Sequence, residues 1–286
     1  MSDRSVGDAV REARARLALA GVHGPDAELL AAWAAGETAA EIRVDMAMGR
    51  SFPADALARF RAAVARREAR EPLQHITGVA PFRHIELRVG PGVFTPRPET
   101  ELLVEVALDH LRGMVEPTVL DVGTGSGAVA IALAREAGAR VVAVEQSPAA
   151  FIWARQNVAE LAPGVVLLHA DACDAAALAA VGVTPGALSA LVSNPPYVPH
   201  AAVPADHEVR AFDPESALYS GADGLDFVRD LAPLAADLVA PGGIVAIEHA
   251  EHQSEAIRRM LEDAGFAGAR THGDLTGRDR VTSATR

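Results

Sequence analysis

The stretch Thr118-Val-Leu-Asp-Val-Gly-Thr-Gly-Ser-Gly-Ala128 decides how the rest of the chain is read. Five residues rich in β-branched and apolar side chains run into three glycines at alternate positions, and a helix-forming run over 128–137 follows at once. Glycine takes positive φ without a Cβ clash and lets a ligand approach the backbone, while the helix start beyond it presents free N–H groups. Strand, ligand-binding turn and helix follow from that pattern. About twenty residues on, Glu145 closes the next strand-like run, 140–144, where a carboxylate can take both hydroxyls of a ribose. The ligand itself stays open at this point. Gly123, Gly125 and Ala128 satisfy the dinucleotide pattern G-x-G-x-x-A, Gly127 adds the G-x-G-x-G spacing of S-adenosylmethionine enzymes, and a glycine turn can also be merely structural.

Strands and helices alternate outward from this stretch. Strand-like runs lie at 118–122, 140–144, 165–169, 188–193 and 244–248, with helical stretches at 128–137, 148–161 and 225–238. Such alternation implies right-handed crossovers and a parallel sheet covered on both faces, an α/β fold. The fourth run of a doubly wound sheet returns beside the first, where ligands bind at the carboxyl ends of the strands. It ends in Val192-Ser193 and passes directly into Asn194-Pro-Pro-Tyr197. The glycine turn and this tetrapeptide are therefore expected to share one cleft.

That tetrapeptide suits methyl transfer to a planar nitrogen, whose delocalised lone pair makes it a poor nucleophile. The Asn194 side-chain oxygen and the Pro195 carbonyl can each accept one N–H, orienting the nitrogen and favouring its rehybridisation as positive charge develops. Pro195 and Pro196 fix the backbone, and Tyr197 can lie flat on the planar group. A nicotinamide enzyme would leave these four residues without a role. The opposing bland reading is a proline turn of no chemical consequence.

Before the sheet, residues 1–70 read as short helices, with Val10, Ala13, Leu17 and Leu19 at amphipathic spacing and glycines and prolines as punctuation. Arg59, Arg61, Arg66, Arg67 and Arg70 fall on the last of them; interleaved acids favour a solvated face, the alternative being a docking surface for an acidic partner. Residues 72–98 carry five prolines and glycine-proline breaks around two short strands, a hairpin connector. Residues 99–111 are expected to be helical, with acids in the first turn.

Composition bounds the function. Of 286 residues half are apolar and 22% charged, which suits a folded chain of about two domains. The formal charge is −12 and unevenly spread: residues 1–90 hold 13 arginines against 12 acids, the remainder 13 against 26, and lysine is absent. A general nucleic-acid binder needs the opposite sign. The single cysteine, Cys173, excludes an internal disulfide and a cysteine zinc site. Glu248, His249, Glu251, His252, His200 and His207 are ligand types, but they close no tetrahedral set, and no metal is expected. No basic segment leads into an apolar run after Met1, and no membrane-length apolar stretch exists, so a cytoplasmic protein is expected.

The residues resemble a known family. Asn194-Pro-Pro-Tyr197 marks amino-methyltransferases acting on glutamine, adenine or cytosine nitrogens. Glu71-Pro-Leu-Gln-His-Ile-Thr-Gly78, Val93-Phe-Thr-Pro-Arg-Pro-Glu-Thr-Glu101, Asp121-Val-Gly-Thr-Gly-Ser-Gly127, Ser193-Asn-Pro-Pro-Tyr-Val-Pro199, Asp223-Gly-Leu-Asp226, Pro241-Gly-Gly243 with Glu248-His249, and Asp274-Leu-Thr-Gly-Arg-Asp-Arg280 are similar to the PrmC/HemK family of release factor glutamine methyltransferases. The resemblance implies an N-terminal helical substrate-binding domain (1–71), a β-hairpin linker (72–98) and a seven-stranded Rossmann-like methyltransferase domain (99–286). It implies S-adenosyl-L-methionine as cofactor, held by Gly123, Thr124, Gly125, Ser126, Gly127 and Glu145, with Asp171 and Ala172 beside the adenine and Asn194 at its reactive end. Phe94 and Arg97, in the segment up to Glu99, would close the cofactor side. Asn194, Pro195, Pro196 and Tyr197 would hold the glutamine of the Gly-Gly-Gln motif in class-1 peptide chain release factors; Asn194, Pro195 and Tyr197 would be catalytic. Glu145 stands where the family commonly has Asp, and Ala172 where some members have an aromatic. A ribosomal-protein glutamine methyltransferase and an adenine-DNA methyltransferase share parts of this pattern, though the net charge disfavours DNA; mere binding of release factor is the non-catalytic rival. Neither nucleic acid nor membrane is an expected partner, and a monomer suffices. Asp206, Glu208, Asp213 and Glu215, after the tetrapeptide, form either part of a lid or a solvated loop.

Overall fold

The structure is a computed structural model, and it describes residues 4–286. Two compact units divide them: the residues up to Val79 together with Ala205–Phe212, and Ala80–Pro204 together with Asp213–Arg286. The sequence reading put a boundary at 71/72. The first unit runs further because Leu73–Thr77 is a short helix, with Ile76 buried in the helical core.

In the first unit four helices, α1 (Val6–Leu19), α2 (Asp26–Ala35), α3 (Ala39–Met48) and α4 (Ala54–Glu68), precede the short α5 (Leu73–Thr77). Ser5 and Thr38 cap α1 and α3 through their hydroxyls, satisfying N–H groups that a helix start leaves free. Val10, Ala13 and Leu17 enter the core with Leu30, Ile42 and Phe60. Leu19, placed on the same face by its spacing, is instead 91% exposed, because α1 ends there.

The second unit begins with the hairpin β1 (Val79–Phe82) and β2 (Ile85–Arg88), most of which lies in it. The hairpin packs into the core: Phe82 and Leu87 join the cluster under helix α6 (Glu101–Leu111). A seven-stranded sheet follows, built from β3 (Thr118–Val122), β4 (Arg140–Glu145), β5 (Val166–His169), β6 (Leu188–Ser193), β7 (Val239–Glu248), β8 (Ala267–Gly273) and β9 (Asp279–Thr285), in the order β5-β4-β3-β6-β7-β9-β8. The first five are parallel, and β9 pairs antiparallel with both β7 and β8. Helices α7 (Ala128–Glu136), α8 (Pro148–Leu161), α9 (Ala175–Ala180), α11 (Asp226–Leu238) and α12 (Ser254–Asp263) make the crossovers; α10 (His207–Phe212) belongs to the first unit.

The near-continuous apolar runs of β3, β4 and β6 are what a strand covered on both faces needs. Two apolar layers result, one against α6 and α7, the other against α11 and α12. Order reverses between β4 and β6, on either side of β3, and the carboxyl ends of these strands form the cleft.

Candidate active site

Val122 pairs with Ser193 in register, and Ser193 Oγ donates to the Val122 carbonyl at 2.8 Å. Gly123 and Asn194 are the next residues of the two strands, so the glycine turn and the tetrapeptide leave the sheet side by side, as the sequence requires. Gly123, Gly125 and Gly127 have φ of 72°, 58° and 88°, the left-handed region. A Cβ added at Gly123 or Gly125 would meet no protein atom within 4 Å, whereas at Gly127 it would sit 3.2 Å from Ile131. The first two glycines thus leave space for something other than protein, and the third packs the helix start.

The turn is held from beneath. Asp121 is 2% exposed; its carboxylate accepts from Thr124 Oγ1 at 2.6 Å and from the Ala130 N–H at 3.1 Å. Burial pushes the Asp121 carboxyl up to about 7 against those two hydrogen bonds. Thr124 and Ser126 are themselves buried: the Thr124 hydroxyl is spent on Asp121, and the Ser126 carbonyl accepts from Asn157 Nδ2 at 2.9 Å. Both bonds shape the turn. Glu145 accepts from the Gly125 N–H and the Ser147 N–H, each at 2.8 Å, which fixes its carboxylate at the mouth of the turn.

Beside the turn opens a cavity with some 690 Å³ of free space including its mouth. Gly123, Asp171 and Ala172 line it, and Cys173 lies next to them. The wall the sequence did not reveal comes from α11, as Phe227, Asp230 and Leu231. Phe227 supplies an aromatic ring to the cavity in which Ala172 offers none. Open space over two left-handed glycines, an apolar slot and a carboxylate at the strand end fit an adenosyl group well.

Phe94 and Arg97 are not among the residues lining that cavity. The Arg97 guanidinium lies 5.2 Å from the Phe94 ring centre and pairs with Asp213 at 2.9 Å. That contact joins the segment before α6 to the one following the tetrapeptide. Asn194 Nδ2 donates to Thr100 Oγ1 at 3.1 Å, leaving its oxygen for another donor. Gln253 Nε2 donates to the Tyr197 carbonyl at 3.0 Å and fixes the end of the tetrapeptide. Burial, with the Glu248 charge nearby, pushes the Tyr197 phenol up to about 12, so it stays protonated.

Two expectations need correction. The arginine-rich face of α4 is not simply solvated: Glu208 on α10 accepts from Arg67 Nη1 at 2.8 Å and from Arg70 Nε at 2.7 Å, and Arg67 also holds Asp26 at 2.7 Å. The two arginines hold the Glu208 carboxyl far below the usual carboxylate range, against its burial. For the same reason the segment carrying Asp206, Glu208 and Asp213 is not a free solvated loop; Glu208 and Asp213 both sit in ion pairs. Among the described residues no group of three His, Cys, Asp or Glu side chains could hold a metal ion, and His249 spends its ring nitrogens on Thr282 and the Ala250 carbonyl. None of the helices described is long and apolar enough to cross a membrane.

A five-stranded parallel core with a ligand turn after its first strand and an antiparallel last strand inserted between β7 and the edge strand β8 places the chain among the Rossmann-like methyltransferases, and the family described as "Methyltransferase domain" matches residues 119–189. The 16S rRNA N2 G1207 methyltransferase of Thermus thermophilus, solved with AdoMet and guanosine, shares this fold at a TM-score of 0.52 and 23% identity, over 73% of this chain and 49% of that one. The helical unit narrows the class, since residues 8–78 match the family described as "PrmC N-terminal domain". The chain is 46% identical to the release factor glutamine methyltransferase of Streptomyces coelicolor over 96% of each protein, and 42% identical to that of Bifidobacterium longum over 96% of this chain and 97% of the relative. It belongs to the release factor glutamine methyltransferase family.

Proposed function

We propose that the protein transfers a methyl group from S-adenosyl-L-methionine to the side-chain amide nitrogen of the glutamine in the Gly-Gly-Gln motif of class-1 peptide chain release factors. The observation that carries this reading is the side-by-side exit of the glycine turn and Asn194-Pro-Pro-Tyr197 at the Val122–Ser193 pair. The cofactor supplies an electrophilic sulfonium methyl group. The open space over Gly123 and Gly125, the Glu145 carboxylate and the Asp171–Ala172 edge bind and orient it. Asn194 Oδ1 and the Pro195 carbonyl accept the two amide hydrogens of the glutamine, so its nitrogen faces the methyl carbon. As the new N–C bond forms, the pair of the breaking S–C bond returns to sulfur and the amide nitrogen gains positive charge. The same two acceptors stabilise that charge until one N–H proton leaves to water. Tyr197, protonated and half-buried, packs against the planar amide. No general base of matched pKa is required, because the acidic product loses its proton unaided.

In this reading the helical residues 1–71 recognise the release factor, 72–98 join them to the catalytic residues 99–286, and a monomer acting in the cytoplasm suffices. Charge supports the division of labour: an acidic catalytic part is poor at meeting nucleic acid, and the arginine-bearing helices are nearly neutral overall. The deciding experiment incubates the protein with methyl-labelled cofactor and purified release factor. Label on wild-type release factor, lost when the Gly-Gly-Gln glutamine is replaced, is the expected result. Label on DNA or on a ribosomal protein instead would overturn the reading.

A further inference from the structure

Glu248 ends β7, one residue beyond the Ser193–Ile247 register pair, which puts it beside Asn194 on the neighbouring strand end. It is 4% exposed, and its Oε2 has no hydrogen-bond partner. A buried orphan acceptor is uncommon and unfavourable. The side chains turned towards its carboxyl are those of Thr100 and Asn194. Of these, Asn194 Nδ2 already gives one hydrogen to Thr100 Oγ1 at 3.1 Å. The second hydrogen of that nitrogen and the Thr100 hydroxyl proton are the donors at hand for this carboxyl.

We propose that Glu248 is a positioning residue of the transfer site: it draws the Asn194 NH2 group and the Thr100 hydroxyl inward, and so leaves Asn194 Oδ1 facing the glutamine amide. An asparagine amide has two faces of similar shape and opposite polarity. If it turned over, a donor would point at the N–H of the acceptor nitrogen and the site would repel its substrate. A neighbour that only accepts settles the orientation, and an ionised carboxylate is such a neighbour. Thr100, which can both donate and accept, lacks that property.

Burial pushes the Glu248 carboxyl up to about 7, with Thr100 opposing that rise, the Glu99 charge adding to it, and Arg280 on β9 and Asn194 opposing. Tyr197 also faces the carboxyl and stays protonated through this range; His249, next in the chain, is pushed down by its own burial and is neutral there. Orientation is therefore strictest above pH 7, when Glu248 is acceptor-only.

The inference rests on the reading of Asn194 as the acceptor for the glutamine amide, and its test separates the two. Glu248→Ala and Glu248→Gln are compared with wild type by cofactor affinity, kcat, KM and the side-chain ¹⁵N–¹H signals of Asn194, assigned with Asn194→Ser. Glu248→Ala is expected to lower kcat by about 10- to 100-fold, with the cofactor Kd within about twofold of wild type, as befits a group that orients rather than binds. Glu248→Gln, which keeps an accepting oxygen, is expected to recover part of that loss and to lose the wild-type rise in rate through pH 7. The Asn194 amide signals should shift through pH 7 in wild type and stay fixed in Glu248→Gln. Unchanged kcat in Glu248→Ala, or Asn194 signals indifferent to both substitutions, would overturn the proposal. If wild type methylates no release-factor glutamine while those signals respond as described, the proposal is supported and the substrate reading falls.

Discussion

Glu145 Oε2 accepts the Gly125 N–H at 2.8 Å, joining the end of β4 to the middle of the glycine turn across 20 residues of sequence. The carboxylate expected to hold the ribose is thus also the group that sets the turn. Its other oxygen accepts from the Ser147 N–H, so both oxygens are fixed before any ligand arrives, with lone pairs left for two hydroxyl donors.

Replacing Glu145 should for that reason cost more than a ribose contact. Glu145→Gln, in which one oxygen becomes a donor facing a backbone N–H, is expected to weaken cofactor binding by about 10- to 100-fold, the loss of one or two charge-assisted hydrogen bonds. Glu145→Asp keeps the charge but shortens the reach and should fall between the two. Calorimetric titration with S-adenosylmethionine measures this directly; equal affinity in wild type and Glu145→Gln would remove Glu145 from the site.

The three glycines of the turn separate ligand space from packing space. At Gly125 a Cβ finds no protein atom within 4 Å, so Gly125→Ala pays only for its left-handed φ, about 1–2 kcal/mol of stability. It should nevertheless abolish measurable cofactor binding, because the methyl group occupies the ligand's place. Gly127→Ala adds a 3.2 Å approach to Ile131 to the same strain and should be the less stable of the two. Thermal unfolding with and without cofactor distinguishes them: ligand-induced stabilisation should vanish in Gly125→Ala even though it folds.

Within the helical unit, Glu208 anchors α10 through Arg67 and Arg70, with side-chain exposures of 13%, 11% and 27%. The paired arginines lower its pKa, so the stability it contributes is present above the ordinary carboxylate pKa and is lost only as pH falls well below it. Glu208→Ala removes the shared carboxylate from two arginines largely shielded from water, Arg67 keeping Asp26, and should cost on the order of 1–3 kcal/mol at pH 7. Urea unfolding read by circular dichroism gives the value. Since chain continuity ties α10 to the residues after Tyr197, a raised KM for release factor is expected alongside it.

Most of the catalytic fold could be read in the sequence because its signals are local: a five-residue apolar strand, a glycine turn and a helix start within eleven residues, then a proline-fixed tetrapeptide at the end of another strand. Register did the rest, since a parallel sheet that reverses order beside β3 must put Gly123 and Asn194 together. Less local features stayed hidden. The edge hairpin β8–β9 and helix α12 carry weak individual patterns and were implied only by family likeness. Phe227 carries no signal of its own, because a helix face toward a cavity and one toward a core share the same spacing. The partner of Arg67 and Arg70 lies some 140 residues away on a six-residue helix, and no local rule connects them. Glu248 appeared as a candidate metal ligand, since sequence does not reveal whether a carboxylate is exposed, paired or buried beside an asparagine.

Two of the buried carboxyls also make stability depend on pH. Asp121 and Glu248 are each pushed up to about 7, from ordinary values of 3.8 and 4.5. A group with a raised folded pKa binds its proton more tightly when folded, so its stabilising effect is complete below the unfolded pKa and is lost as pH rises through the folded one. For Glu248 the loss between about pH 4.5 and pH 7 amounts to roughly 3 kcal/mol. Glu248→Gln cannot ionise and should escape that loss: its midpoint of thermal unfolding, compared with wild type at pH 5 and pH 8.5, should gain on wild type at the higher pH. Asp121→Asn should do likewise at its own site, though it exchanges the acceptor of the Thr124 hydroxyl and the Ala130 N–H for an amide that can satisfy them with one oxygen. Parallel pH profiles for wild type and Glu248→Gln would mean that the carboxyl is hydrated in solution. If the profiles diverge as expected, the enzyme gives up stability near neutral pH at the residue that orients Asn194, and the ionised form that costs stability is the one that fixes the acceptor oxygen.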